Sequence, residues 1–389
     1  MLSDTPPSLK QIAAIYFKIG STAFGGPAAQ LAMMEDELIA RRGWVDHQRF
    51  LDFIAVSSLI PGPSSTQTGL YVAWSIGGWP ALVVAGVSFI GPAALITGIL
   101  TYIYVSFGTL PQVQAPFVGV KAAILAIILA AVWRLGKVAL SKRWTWGLAA
   151  VSAAAILAGS PEIPTLLAGG ALGSLLAYVK HNGGKGPGLP PAAAFLVGAG
   201  GATASSVAPV AAATGPVALF WYFLKVGSFL YGGGYVLIAF LQGGAVAELG
   251  WLTDSQLLDA IAIGQVTPGP LFTIATAVGY IAGGGVGALA ATVGIFLPGL
   301  IMVGLTGRWV HALRQSTIAS GFLDGVGATA VGVMAAVLIP LGQGSVTGIA
   351  TLVIALGSGL LAIGLRVSPA LVIMLGAAAG GVCGWMGWL

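Results

Sequence analysis

Residues 58–67 read Ser-Leu-Ile-Pro-Gly-Pro-Ser-Ser-Thr-Gln, and residues 265–274 read Gln-Val-Thr-Pro-Gly-Pro-Leu-Phe-Thr-Ile. The Pro-Gly-Pro turn recurs 207 positions downstream, and the same register carries a long block with it. Lys18, Gly20, Ser21, Gly25, Gly26, Gly43, Trp44, Asp52, Pro61, Gly62 and Pro63 reappear as Lys225, Gly227, Ser228, Gly232, Gly233, Gly250, Trp251, Asp259, Pro268, Gly269 and Pro270. Chance likeness between two greasy segments does not hold glycines, a lysine, a carboxylate and prolines in one register. Two related hydrophobic halves with helix breakers at matching positions are the sequence form of a secondary transporter.

Composition fixes the solvent. Of 389 residues 57% are hydrophobic and only 7% charged, with a mean hydropathy of +0.96, whereas about a quarter of the residues of a soluble domain are charged. The fold class is an all-α polytopic membrane protein whose partner is the lipid bilayer. The 60 glycines sit inside apolar runs, where small residues let helices approach closely without a hydrophobic driving force. The net charge of +5 comes from a few residues clustered in loops. It reports orientation and argues against nucleic acid as a partner. A single cysteine, Cys383, excludes an intrachain disulfide and a cysteine-rich metal site. Residues 1–11 are polar and lack the pattern of a cleaved leader, so the first apolar segment is expected to remain.

A full crossing takes roughly 17 to 25 apolar residues. Segments 81–105, 117–133, 144–160 and 163–179 qualify in the first half, and 286–306, 319–341, 345–364 and 367–388 in the second. Shorter pieces precede them at 9–25, 27–42, 50–60 and 64–77, with equivalents within 216–283. A helix over 50–60 rises only about 17 Å and stops near the middle of a bilayer. Lysine and arginine in short loops stay in the cytoplasm, which places Arg41, Arg42 and Arg49, then Arg134, Lys137, Lys142 and Arg143, then Lys180 and Lys185 on that side. Those clusters share a side only if the pieces flanking Pro61-Gly62-Pro63 form a re-entrant hairpin. The segments around Gly25-Gly26-Pro27 read as a second hairpin. In the second half the signs exchange: Glu248 and Asp254 follow the first hairpin, while Arg308, His311, Arg314 and Arg366 take the loops that are uncharged or acidic in the first. The expectation is therefore a first repeat over 1–180, a linker over 181–215 that crosses once within 191–215, and an inverted second repeat over 216–389. Each repeat has broken half-helix hairpins followed by four transmembrane helices.

Inverted hairpins bring their tips together near the midplane, where irregular backbone is tolerated only inside protein or beside a water-filled cavity. A helix begins after each Pro-Gly-Pro turn, so free N–H groups and the positive dipole end face that cavity, the makings of an anion site. The residues there are Ser64, Ser65, Thr66 and Gln67, and in the second half Leu271, Phe272 and Thr273 with Gln265 before the turn. Hydroxyls and amides suit a tetrahedral oxyanion without burying a permanent charge. The plain alternative is a kinked helix whose serines satisfy backbone carbonyls. Lys18 and Lys225 stand in apolar surroundings and supply either positive potential for a dianion or a snorkelling charge. Lys121 is similar but has no polar match in the second half. Asp52 and Asp259, the matched carboxylates, suit either proton coupling or helix capping. Trp44 and Trp251 read as interface anchors.

At Phe24-Gly25-Gly26-Pro27, Pro61-Gly62-Pro63, Tyr231-Gly232-Gly233-Gly234 and Gly264-Gln265-Val266-Thr267-Pro268-Gly269-Pro270 the chain resembles the chromate ion transporter family in its long two-domain form. The likeness covers both halves. It implies export of chromate from the bacterial cytoplasm across the inner membrane, with chromate resistance as the outcome and sulfate as a related oxyanion. Glutamine is usual in that family shortly before the first Pro-Gly-Pro, where this chain has Ser58; Gln265 keeps it in the second half. The expectation includes no cofactor, no metal and no enzymatic activity, and a homodimer is compatible with it. No Walker-type phosphate loop occurs. A transporter of another oxyanion shares the architecture. An intramembrane hydrolase would need a histidine at membrane depth, and His47, His181 and His311 all fall in expected loops.

Overall fold

The computed structural model describes residues 7–24, 26–108, 110–181, 215–231, 234–307, 317–365 and 367–388. The connector over 182–214, with its expected crossing, lies outside the described residues, as do Gly25, Gly232, Gly233, Arg308, His311, Arg314 and Arg366. All regular elements among the described residues are helical. They run α1 Leu9–Thr22, α2 Gly26–Met34 with a π-helical extension Glu35–Ala40, α3 His47–Ser57, α4 Ser64–Phe107, α5 Pro111–Ala139, α6 Arg143–Leu157 and α7 Glu162–His181. The second set is α8 Pro216–Phe229, α9 Val236–Phe240 with its π-helical extension Leu241–Glu248, α10 Asp254–Val266 and α11 Ile274–Thr306 after a 3-10 turn Leu271–Thr273. It ends with α12 Thr317–Ser345, α13 Ile349–Gly359 extended by Leu360–Gly364, and α14 Pro369–Trp385. Five helical stretches are long and apolar enough to cross a membrane, at 64–107, 114–139, 162–180, 271–306 and 319–345. The protein is an all-α polytopic membrane protein.

The repeat seen in the residues reappears in the backbone. Gly43 and Gly250 end equivalent segments at φ 58° and 61°, and the following tryptophan N–H groups close back on Leu38 O and Ala245 O at 2.9 and 2.8 Å. Only glycine enters that left-handed region without a Cβ penalty. Asp46 and Thr253 then cap α3 and α10 by accepting from the backbone N–H of Arg49 and Gln256, at 2.8 and 3.2 Å. These caps satisfy amides that a helix start leaves open. Capping therefore belongs to Asp46 and Thr253, and Asp52 and Asp259 sit a turn further on with buried side chains.

The long helices α4 and α11 each fold back on themselves. Gly77 and Gly78 leave helical geometry at φ −141° and 61°, and Gly283 and Gly284 do so at φ −148° and 63°. Beyond these bends the second limbs return alongside the first. Thr276 and Thr292 share a hydroxyl hydrogen bond of 2.8 Å, although residues 16 apart in a straight helix stand about 24 Å apart. The segment before each bend is thus a half-helix, as the break between 64–77 and 81–105 implied. It is paired with α3 ahead of it: Ser57 meets Thr68 at 2.8 Å and Phe53 stacks on Tyr71 at 5.6 Å. Those pairings run in opposite directions along the chain, which is the geometry of a hairpin closed by Pro61-Gly62-Pro63.

The halves interlock rather than sit side by side. The returning limbs of α4 and α11 pass antiparallel, with Trp79 beside Gly304 and Gly86 beside Leu300. Helix α5 packs on α13 and α14 of the other half, and α12 packs on α6 and α7. Each crossing is made at glycine. A Cβ on Gly119 would strike Gly376 O and lie 2.8 Å from Gly380 Cα; one on Gly173 would strike Gly321 O and lie 2.9 Å from Gly325 Cα. Expected crossings at 144–160 and 345–364 are the least extended: α6 has 15 residues, about 22 Å of helix.

Candidate functional site

The two Pro-Gly-Pro turns are held by each other's half. The Gly62 N–H donates to Leu230 O at 2.8 Å, and the equivalent Gly269 N–H donates to Ala23 O at 3.0 Å. Both glycines have positive φ, 121° and 96°. At Gly62 a Cβ would lie 2.5 Å from the Gln67 amide nitrogen, and at Gly269 3.0 Å from Gly20 O. The ends of the half-helices are thereby fixed inside the protein, close to the other half.

A second link joins the tips. Gln30, fully buried on α2, accepts from the Ser65 hydroxyl at 2.7 Å and donates through Nε2 to Gly269 O at 2.5 Å. One amide therefore ties the start of the first half-helix to the turn before the second. Thr97 of the returning α4 limb adds a 3.3 Å contact to Thr267, beside the second turn. The Gln67 amide donates to Pro61 O at 2.5 Å, so it braces its own turn.

The tips differ in chemistry. Pro63 opens the α4 half-helix, followed by Ser64, Ser65, Thr66 and Gln67. After Pro270 come Leu271, Phe272 and Thr273, where the Thr273 hydroxyl donates to Pro270 O at 3.0 Å and Phe272 tilts against Phe296 at 6.0 Å. Thr66 Oγ1, Gln67 Oε1 and Gln265 Nε2 are buried without a protein partner. Buried polar atoms nearly always find partners, so these are groups that a ligand or water satisfies. A cavity of about 370 Å³ lies against the first turn, lined by Ser57, Ser58, Ile60, Gly62 and Ser64, by Leu135, Val138 and Ala139 at the end of α5, and by α12 from Leu323 to Ala330. Asp324 in that wall pairs with Lys142.

The remaining sequence candidates are placed as follows. Lys18 is exposed on α1 and pairs with Glu37 at 2.6 Å, where Arg42 also binds. Lys225 is exposed on α8. Neither lines the cavity. Gly26 starts α2 at φ 78°. Asp52 accepts from Gln48 at 3.3 Å. Asp259 accepts from the Tyr104 hydroxyl at 2.7 Å and faces Lys121 at 3.5 Å. Trp251 is packed edge-on to Tyr222 at 5.3 Å with its indole nitrogen buried, rather than offered to an interface. Gln30 escaped the reading of the repeat because its equivalent is the apolar Leu237. The available signal was a lone amide within an apolar segment.

Among known proteins, the family model for chromate transporters matches residues 10–174 and 217–382, one stretch in each half. The chain is 34% identical to a chromate transport protein of Pseudomonas aeruginosa, covering 98% of this chain and 93% of that one. It is 30% identical to a probable chromate transport protein of Synechococcus elongatus, covering 96% and 95%. A chromate transport protein of Cupriavidus metallidurans is 29% identical over 90% and 86%. No solved structure matches the chain. Interlocked halves, a broken helix ending beside a cavity, and a family match in both halves lead to one statement: the chain belongs to the chromate transporter family.

Proposed function

We propose that this protein carries chromate, a tetrahedral dianion, out of the cytoplasm across the bacterial inner membrane as a secondary transporter, and so confers chromate resistance. The observation that carries the reading is the reciprocal seating of the two Pro-Gly-Pro turns, Gly62 on Leu230 and Gly269 on Ala23. It sets two amide-rich helix ends in one interior. The antiparallel passage of the α4 and α11 limbs supports repeats 1–180 and 216–389 inserted with opposite orientation, joined by a crossing linker over 181–215. In that arrangement Pro61, Gly62, Pro63, Pro268, Gly269 and Pro270 shape the tips. Ser64, Ser65 and Thr66 with their backbone amides bind the oxyanion, Gln265 and Thr273 are their counterparts at the second tip, and Gln67 supports the first turn. Gly25, Gly26, Gly232 and Gly233 form the second pair of breaks, Lys18 and Lys225 contribute positive potential from outside the cavity, and Asp52 and Asp259 serve coupling.

The cavity runs from the first turn to the end of α5, beside the basic cluster Arg134 to Arg143 that the loop charges assign to the cytoplasm. In this reading the cavity is the cytoplasmic entrance of an alternating-access cycle. With the cell interior negative, outward movement of a dianion is favoured by about 4.6 kcal/mol per 100 mV. Export is downhill without ATP.

The experiment is flux of labelled chromate and sulfate in everted and right-side-out vesicles. Wild-type protein is expected to accumulate chromate in everted vesicles, and the Ser65→Ala/Thr66→Ala variant to lose at least tenfold in rate while inserting normally. Undiminished flux in that variant removes the site, and flux in the opposite orientation removes export. Sulfate flux equal to that of chromate would replace chromate by the wider oxyanion class.

A further inference from the structure

The position on α5 that answers to the cavity wall on α12 carries a charge that α12 does not repeat. Helices α5 and α12 are equivalent in the repeat, with a local register of 206 in which Gly119, Val120 and Ala122 match Gly325, Val326 and Ala328. Gly327 of α12 lines the cavity beside the first turn. Its equivalent on α5, facing the second turn's half, is Lys121. On this side α10 packs directly on α5, α12 and α14, and Gly344 lies against Asp254 at the start of α10. The Lys121 ammonium lies against the first turns of α10, at Ser255 and Asp259. Its side chain is only 19% exposed, 3.5 Å from a 3% exposed Asp259 and 2.5 Å from the Ser255 hydroxyl.

Asp259 is an incomplete partner for that lysine. Its shorter bond is to Tyr104, at 2.7 Å, while the contact with Lys121 exceeds hydrogen-bond length. Its other oxygen is buried with no partner. A buried carboxylate left partly unsatisfied gains little from the pairing. With one N–H on Ser255 and only a long contact to Asp259, the ammonium keeps donors for a better anion, and a tetrahedral dianion offers twice the charge and more acceptor oxygens than a carboxylate.

We infer that Lys121 is the binding residue for the transported oxyanion on the side opposite the open cavity, and that Asp259 is its resident counter-ion while that side is closed. When α10 withdraws from α5, the arriving dianion displaces the Asp259 carboxylate from Lys121. Tyr104 then remains the donor to Asp259, and closure restores the internal pair and expels the anion. The cavity side, where the second half supplies Gly327 at this position, binds at the half-helix end alone, so the two sides hold substrate by different chemistry. This inference rests on the transport reading above.

The test uses the full chain reconstituted in liposomes, with labelled chromate and sulfate as probes. K121Q is expected to lower flux at least tenfold, K121R to stay within threefold of wild type, and the neutral pair K121Q/D259N to remain as impaired as K121Q. D259N, which frees the lysine, is expected to lower the half-saturating anion concentration on the opposite side severalfold. Wild-type flux in K121Q/D259N would show that the lysine only neutralises Asp259 and would overturn the inference, as would an unchanged half-saturation in D259N should K121Q fail to assemble. Wild-type liposomes that carry neither anion would overturn the transport reading and this one with it.

Discussion

Two glycines with positive φ have opposite tolerance to change, because their surroundings differ. Gly78 has φ 61°, ψ −148° and no atom within 4 Å of where a Cβ would stand, so Gly78→Ala meets only the backbone cost of a glycine conformation, about 1–3 kcal/mol. Gly62 has φ 121° and a Cβ there meets the Gln67 amide that braces the turn. Gly62→Ala is expected to abolish chromate resistance and Gly78→Ala to retain most of it, as survival on chromate with protein level matched by immunoblot will check. Gln30→Leu, which writes in the residue of the other repeat, removes both links between the tips and orphans Ser65 and Gly269 O. A lost partner for a buried polar group costs about 1–3 kcal/mol, and a fall of the thermal midpoint in detergent with loss of flux is the expected result. At this scale the sequence was half legible. The turns announced themselves by repetition and Thr66 by its match in Thr273, and Ser65, opposite Phe272 in the repeat, by standing next to a turn, whereas Gln30 is unrepeated and far from any turn in the sequence. Lys18 and Lys225 were repeated, yet their side chains point outward, because repetition fixes a position and not the face of the helix it lies on.

The half-helices were readable from length alone, since 50–60 and 64–77 are too short to cross and are bounded by glycine and proline. The bends at Gly77-Gly78 and Gly283-Gly284 turn that shortness into hairpins, and there the small residues matter for contact rather than for angle. Gly279 lies where its Cβ would be 2.5 Å from Gly287 O on the returning limb. Gly279→Leu is expected to part the limbs and prevent a monodisperse peak in size-exclusion chromatography, while Gly285→Leu, with nothing within 4 Å, leaves the peak unchanged. What length and composition did not convey is which helix meets which. The glycines of α5 and α7 are spaced to accept α14 and α12, a pairing between distant parts of the chain that hydropathy cannot encode.

For the molecule as a whole, the proposed opposition of the repeats requires one reachable tip and one shielded tip in any one access state. With Cys383→Ser as background, Ser58→Cys is expected to react with an impermeant maleimide added from the cytoplasmic side at least tenfold faster than Gln265→Cys. Equal labelling of both from that side would remove the opposed arrangement of the repeats. The reciprocal glycine crossings have a further outcome for biogenesis. Until α12 and α14 emerge, the small-residue grooves of α7 and α5 have nothing to hold, so a chain halted after His181 is an orphan subunit, a target for membrane proteases. Supplied in the same cell as two polypeptides, 1–181 and 182–389, the fragments should rescue each other from degradation, because α5, α6 and α7 of the one pack chiefly on α12, α13 and α14 of the other.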